Sequence, residues 1–306
     1  MTGIAVLSLI AVAGFSLAVY AAWLFHDMPD ASDLADYRPP TATRVYAWDG
    51  TLIGEFSKER RIFVPYDQMP PTLVRAFLAA YWADATHEHM VQPAMVYISY
   101  PTEWGTLYTR PELEALHEVC RAYGLLLYMD GARLGYALAA EEHRPENDRL
   151  SLVDIARLTD AFYIGGTKVG TLFGEALVLS ALELRRDFRY YMKQRGGLLA
   201  KGRLLGIQFD VLFSDGLYME ISRHAVDQAM RVREAFRKKG FAFYLDSPTN
   251  QQFPILSEEQ MAALAAKYSF AVFARLDHGL SAVRFCTSWA TRPENVDQLI
   301  ADIENL

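Results

Sequence analysis

The chain has 306 residues, 52% hydrophobic and 22% charged, a balance that suits one large or two medium globular domains. Its net charge is -7 and its basic residues are dispersed, which argues against a nucleic-acid binder. Cys120 and Cys286, the two cysteines, each fall in an apolar stretch and read as buried free thiols, so no disulfide framework is expected.

In chain order, the first element is the uncharged apolar run IAVLSLIAVAGFSLAVYAAWLF, from Ile4 to Phe25. At ~1.5 Å rise per residue such a helix crosses the ~30 Å hydrocarbon core of a bilayer. No Lys or Arg precedes it, and Asp27, Asp30, Asp33 and Asp36 follow, so the basic start of a cleaved signal peptide is missing. Residues 1–28 therefore read as an uncleaved, single-pass transmembrane anchor. Prolines at 39–40 and 70–71 punctuate the next stretch. TRVYAWDGTLIGEF alternates around Asp49-Gly50, the pattern of a hairpin, and PPTLVRAFLAA opens a helix with prolines at its entrance. Residues 29–80 predict a short β-rich stalk.

From Tyr81 the pattern changes. AMVYISY (94–100) is a β-rich run, and TRPELEALHEVCRAYG follows with a capping box from Thr109 to Glu112 and a closing glycine at Gly124. LLLYMD (125–130) is a buried strand, so the unit is strand–helix–strand and parallel. SLVDIARLTD and AFYIGG repeat it, and EALVLS adds a strand, giving an α/β sheet with helices on its faces over residues 81–205. Residues 206–306 predict a small α+β domain. It holds a helix from Met219 to Lys239, strands in FAFYLD, QQFPIL, AVFARLD and AVRFCTS, a helix from Ser257 to about Tyr268, and a last helix capped by Thr291 and Glu294. The basic stretch KQRGGLLAKGR (193–203) reads as a solvated loop, and the His87–His89 pair lacks a second ligand cluster for a metal.

In open α/β sheets, ligands sit at the carboxyl ends of strands. YMDGAR places Asp130 there, followed by Gly131 and Arg133; FYIGGTKVG places Lys168 after the next strand, in a glycine-rich loop. Taken singly, each charge reads as a cap or a solvated side chain. Together they point to pyridoxal 5'-phosphate (PLP), because a lysine amine can join an aldehyde and a carboxylate can keep a pyridinium nitrogen protonated.

Two family resemblances attach to these motifs. Residues 1–80, with RPP, TRVY, DGTLIGEF, ERRIFVP and AFLAA, resemble the N-terminus of class A penicillin-binding proteins. That family continues with an Ala-Glu-Asp run whose glutamate serves glycosyl transfer. Here Ala80 is followed by Tyr81-Trp82, so the resemblance implies the anchor and stalk without the enzyme. Residues 81–306, with YISYPTEWGTLY, YMDGARLGYAL, FYIGGTKVGTLFGEALV and VRFCTSWAT, resemble low-specificity threonine aldolases, within the β-eliminating lyase and threonine aldolase group of fold-type-I PLP enzymes. The resemblance implies that Lys168 carries the cofactor covalently, Asp130 pairs with its pyridine nitrogen, Arg133 meets its phenolic oxygen and Arg284 binds the substrate carboxylate. It implies aldol cleavage of threonine-like amino acids, a homo-oligomer, and a PLP-binding part like that of cytoplasmic enzymes. Family members carry strands and a phosphate-binding loop ahead of the position of Tyr81, where this chain has penicillin-binding-protein-like text. Impaired activity and uncovered apolar sheet surface are therefore expected. A non-catalytic envelope protein anchored in the inner membrane, or another PLP β-lyase, are the alternative readings.

Overall fold

A computed structural model describes the backbone of two strands, Thr43–Tyr46 (β1) and Leu52–Phe56 (β2), and residues 70–306. The chain divides into two compact units, Met1–Val64 and Pro65–Leu306. In the first, β1 and β2 pair antiparallel, with Val45 opposite Gly54 and Tyr46 opposite Leu52, so Ile53 is the extra residue of a bulge. The turn at Asp49-Gly50 and the anchor expected at residues 4–25 lie outside the described residues. Among the described residues no helix is long and apolar enough to cross a membrane.

The second unit opens with α1, Pro71–Ala83, which has a proline in its first turn where an N–H would be unpaired anyway. Val74, Leu78 and Tyr81 recur at i, i+4 and i+7 and form its buried face. The helix thus runs on through Tyr81 and Trp82, and the point where the two family resemblances meet lies inside a helix rather than in a linker.

The main sheet follows: β3 Met95–Ser99, α2 Arg110–Tyr123, β4 Leu126–Asp130, α3 Leu134–Glu141, α4 Leu152–Leu158, β5 Ala161–Gly165 and β6 Glu175–Leu179. Its order is β3-β4-β5-β6; the first three strands are parallel and β6 is antiparallel to β5. Helix α2 forms as its sequence dictates. Thr109 Oγ1 accepts from the Glu112 N–H, the Glu112 carboxylate accepts from the Thr109 N–H at 2.7 Å, and Gly124 ends the helix at φ 66°. Its stripe of Leu113, Leu116, Val119 and Cys120 is buried.

Alternation along the strands splits the sheet into two faces. Val96, Ile98, Leu127, Met129, Phe162 and Ile164 point into the core, and each large apolar side chain buried there contributes about 1.5–3 kcal/mol. The other face carries Met95, Tyr97 and Leu177, all substantially exposed, beside a groove of about 720 Å³ reaching Phe188 and Tyr191. The sequence pattern predicts helices on the faces, and the missing strands predict uncovered apolar sheet surface; among the described residues this face is largely uncovered.

Beyond the sheet come α5 Phe188–Gln194, α6 Arg203–Phe213, α7 Leu217–Lys238, β7 Gln251–Gln252, β8 Ile255–Ser257, α8 Glu258–Ala265, β9 Ala271–Arg275, β10 Leu280–Cys286 and α9 Pro293–Glu304. Only part of the expected basic loop is loop, because α5 takes its start and α6 begins at Arg203. A break at Asp215 and Gly216, both with positive φ, separates α6 from α7. Strand β10 lies at the centre of the small antiparallel sheet, hydrogen-bonded to β7, β8 and β9. FAFYLD is not a strand. It meets its neighbour at a single bridge, Phe243 to Pro254, flanked by bonds from the Tyr244 N–H to Phe253 O and from the Ile255 N–H to Ala242 O, both at 2.9 Å, and the pairing goes no further. Pro254, whose missing N–H would face β10, separates QQFPIL into two short pieces. Nor does Thr291 cap the last helix: its hydroxyl accepts from the Ser288 N–H, and Arg292 takes the cap position. Helix α7 serves two apolar clusters, with Tyr218, Ala225 and Val226 in the main one and Val232, Ala235 and Phe236 in that of the small sheet.

Candidate active site

The tips of β4 and β5 are pressed together, backbone on backbone. A Cβ at Gly131 would lie 1.9 Å from the Tyr163 carbonyl, and one at Gly165 would lie 2.3 Å from the Ala132 carbonyl, so side chains are excluded from both positions. The Gly165 N–H donates to Gly131 O at 2.8 Å. Buried Tyr218 ties the same tips from behind, accepting from the Gly135 N–H at 3.1 Å and donating to Gly165 O at 3.0 Å. Tyr136 donates to the Lys168 carbonyl at 2.5 Å, while Val169 is fully buried. This clamps the Lys168 backbone and leaves its side chain exposed. The ammonium has no hydrogen-bond or ion-pair partner among the described residues.

Asp130 ends β4, opposite Ser99 of β3. Its Oδ2 accepts from the Tyr97 hydroxyl at 2.6 Å; its Oδ1 accepts from the Tyr163 hydroxyl and from the Ala132 N–H at 2.9 Å. Partial burial alone would raise its pKa. The hydroxyls of Tyr163 and Tyr97, the Ala132 N–H and the nearby Lys168 ammonium outweigh that and hold the carboxyl below its usual range. Asp130 is therefore an anion close to the Lys168 ammonium.

Arg133 follows on the same loop, largely buried, and pairs with Glu103 at 2.9 Å. Arg284 lies on β10; its Nη1 is 3.8 Å from Glu103 Oε2 and donates to Gln251 Oε1 at 3.4 Å, and among the described residues its buried Nε has no partner. The thiol of Cys286 marks where these groups converge. Crowding by nearby protein atoms raises its pKa although the residue keeps an exposed side, Arg284, Arg133 and Lys168 pull it down, and Glu103 pushes it up. Arg284, Arg133 and Lys168 are thus all within electrostatic reach of one thiol, and Lys168 is in turn within reach of Asp130. Cys286 itself is exposed, against the expectation of a buried thiol, because it lies at the last position of β10 on the outward side; Cys120 is buried as expected. The His87–His89 pair forms a short turn, with His87 packed on Tyr81 and Trp82.

Four residues here escape the sequence reading: Glu103, Gln251, Tyr97 and Tyr163. Glu103 sits in a turn just past β3, the kind of strand-tip loop where ligands gather. That turn is stapled from the other side, since Gly105, at φ 70°, presents its carbonyl to Ser247 Oγ at 2.9 Å, and Gln251 Nε2 donates to Glu103 O at 3.4 Å. Trp104 stacks on Tyr244 and meets Phe273 edge-on.

The donor set fits PLP at its ring and aldehyde. An ionised carboxylate suits a pyridinium N–H, a free amine suits an aldehyde, and two guanidiniums suit anionic oxygens. Asp130 already accepts three hydrogen bonds, yet a carboxylate offers about four acceptor positions, so one remains.

A family model described as beta-eliminating lyase matches residues 53–287, starting earlier than Tyr81. A low specificity L-threonine aldolase from Pseudomonas sp. (strain NCIMB 10558) is 33% identical over 222 residues, which is 70% of this chain and 60% of that protein. A solved threonine aldolase from Leishmania major superposes with a TM-score of 0.73 at 39% identity, covering 80% of this chain and 69% of that one. Toward the N-terminus, penicillin-binding protein 1A of Rickettsia prowazekii is 47% identical over 68 residues, 22% of this chain and 9% of that protein. Threonine aldolases and their fold-type-I relatives are PLP-dependent. Since the matched stretch runs through the whole main sheet and through Asp130, Arg133, Lys168 and Arg284, the chain belongs to the beta-eliminating lyase family.

Proposed function

We propose that this chain holds PLP at Lys168 and acts on β-hydroxy-α-amino acids such as threonine, cleaving the Cα–Cβ bond to give glycine and an aldehyde. The observation that carries this reading is that Lys168 lies within electrostatic reach of Asp130, that Lys168, Arg133 and Arg284 all lie within reach of Cys286, and that one carboxylate, Glu103, touches both arginines. When bound, the cofactor supplies a ring that accepts the electron pair left at Cα. The Lys168 amine, held by its clamped backbone and unpaired at its tip, is the nucleophile for the aldehyde. Asp130, kept ionised by Tyr163 and Tyr97, holds the proton on the ring nitrogen. Arg133 meets the phenolic oxygen, and Arg284 takes the substrate carboxylate, for which a guanidinium fork has the matching geometry.

Turnover is proposed to be impaired. The text ahead of Tyr81, where aldolases place their phosphate loop, is that of a penicillin-binding protein. Self-association is part of the proposal as well, supported by the exposed apolar side chains of Leu172, Tyr190, Leu204, Ile207 and Val211. The test is the absorption spectrum of the purified chain with added PLP. A visible band that disappears in Lys168→Ala, together with slow release of glycine from threonine, is the expected result; identical spectra for the two proteins would overturn the reading. The penicillin-binding-protein match favours a second reading, a single-pass inner-membrane protein with no catalysis. That reading gains if the chain fractionates with the inner membrane, exposes its C-terminus to the periplasm and gives no such band.

A further inference from the structure

The geometry points to Glu103 as a built-in occupant of the carboxylate site, a side-chain gate that the carboxylate of an incoming amino acid displaces from Arg133 and Arg284. This rests on the reading above, in which Arg284 receives the substrate carboxylate.

One carboxylate spans both guanidiniums, with Oε1 2.9 Å from Arg133 and Oε2 3.8 Å from Arg284. The two arginines reach this point from different parts of the unit, the tip of β4 and the centre of the small sheet. The fit to Arg284 is poor. Besides the contact to Glu103 its Nη1 makes a long one to Gln251, and among the described residues its buried Nε has no partner, so a donor is left for a better-placed anion. Unpaired buried donors are costly, and a planar carboxylate that met Arg284 bidentately would relieve this one.

Mobility lies with the gate and not with its frame. The Glu103 side chain is 62% exposed, whereas those of Arg133 and Arg284 are 13% and 27% exposed. The backbone under Glu103 is pinned by Gln251 Nε2 and by the Ser247–Gly105 contact. Glu103 can rotate into water without moving its loop, and the arginines cannot follow it. Charge points the same way. Arg133 and Arg284 share the one carboxylate of Glu103, so swinging it into water makes the site more positive by one charge. An open site therefore attracts a carboxylate, and Glu103 lowers that attraction in its absence.

The deciding experiment is calorimetric titration of acetate into the full chain without cofactor, comparing the wild type with Glu103→Gln, Arg284→Met and the double variant. Glu103→Gln is expected to bind acetate at least fivefold more tightly than wild type, with an unchanged circular dichroism spectrum. Arg284→Met is expected to lose binding, and the double variant to lose the gain. Equal, weaker or unmeasurable acetate binding by Glu103→Gln overturns the gate, as does a gain that survives in the double variant. Since acetate binding needs no cofactor, the gate is decided even if the Lys168 band is never seen. A normal Lys168 band with unaltered acetate binding sinks the gate alone.

Discussion

Replacing Tyr218 by Phe removes one oxygen and leaves a ring of the same shape. That oxygen accepts from Gly135 N–H and donates to Gly165 O, and the side chain is 6% exposed. One backbone donor and one acceptor are thus stranded in the interior. Each buried group left unsatisfied costs about 1–3 kcal/mol, so the variant should lose about 2–6 kcal/mol of stability. The contact of the ring with Phe213 survives, so the packing contribution is unchanged. Urea unfolding measures this directly: the midpoint should fall while the slope, which tracks the surface exposed on unfolding, stays at its wild-type value. Amide exchange should quicken at Gly135 more than at Leu113 or Leu116 of α2, because the loss is local to the strand tips. A change below about 0.5 kcal/mol, small against the penalty of stranding even one group, would refute the claim that Tyr218 clamps β4 and β5 from behind.

Two further outcomes follow from the site. Asp130 has a pKa below that of the unfolded chain, so its contribution to stability is complete above the unfolded value and is lost as pH falls through the folded one. Tyr163→Phe removes the strongest contact that lowers it, shrinking this contribution and moving the acid-unfolding midpoint, followed by circular dichroism, to higher pH; an unmoved midpoint would count against the tyrosine–aspartate contact. Iodoacetamide should label Cys286 in the native chain and reach Cys120 only on unfolding, since Cys120 is sealed in the core and burial pushes its thiol up to about 11. Mass spectrometry showing Cys120 modified first would contradict the packing of α2.

What could be read from the residues was whatever depends on short-range rules. The Thr109–Glu112 box, the glycine stop at Gly124 and the Asp130 and Lys168 strand tips all rest on neighbours within a few positions. The Thr291 cap failed although it repeats the Thr-Arg-Pro-Glu wording of Thr109, because the Ser288 N–H captured its hydroxyl first. FAFYLD failed because its pairing with QQFPIL stops after one bridge, a limit set by a distant partner segment and invisible in its own composition. The roles of Glu103 and Gln251 depend on contacts across 30 to 148 positions, which no local pattern encodes. Tyr97 and Tyr163 look like ordinary strand tyrosines until the sheet register brings both hydroxyls to one carboxylate.

The site therefore has two halves that answer differently to change. Around Lys168 and Asp130, chemistry and folding share the same atoms. The glycines that let β4 and β5 touch and the tyrosines that tie their backbones also fix where the amine and the carboxylate stand. A substitution at Gly131 or Tyr218 would disturb the cofactor end without touching a ligand, because the tips could no longer close. Around Glu103 and Arg284 the frame is held by backbone contacts from Ser247 and Gln251, and the charged side chain stands in water. That half can change its charge without loosening the fold. On the proposed reading, differences in which carboxylate the site admits should therefore arise at Glu103, and differences in whether it holds PLP at all should arise at the glycine and tyrosine clamp.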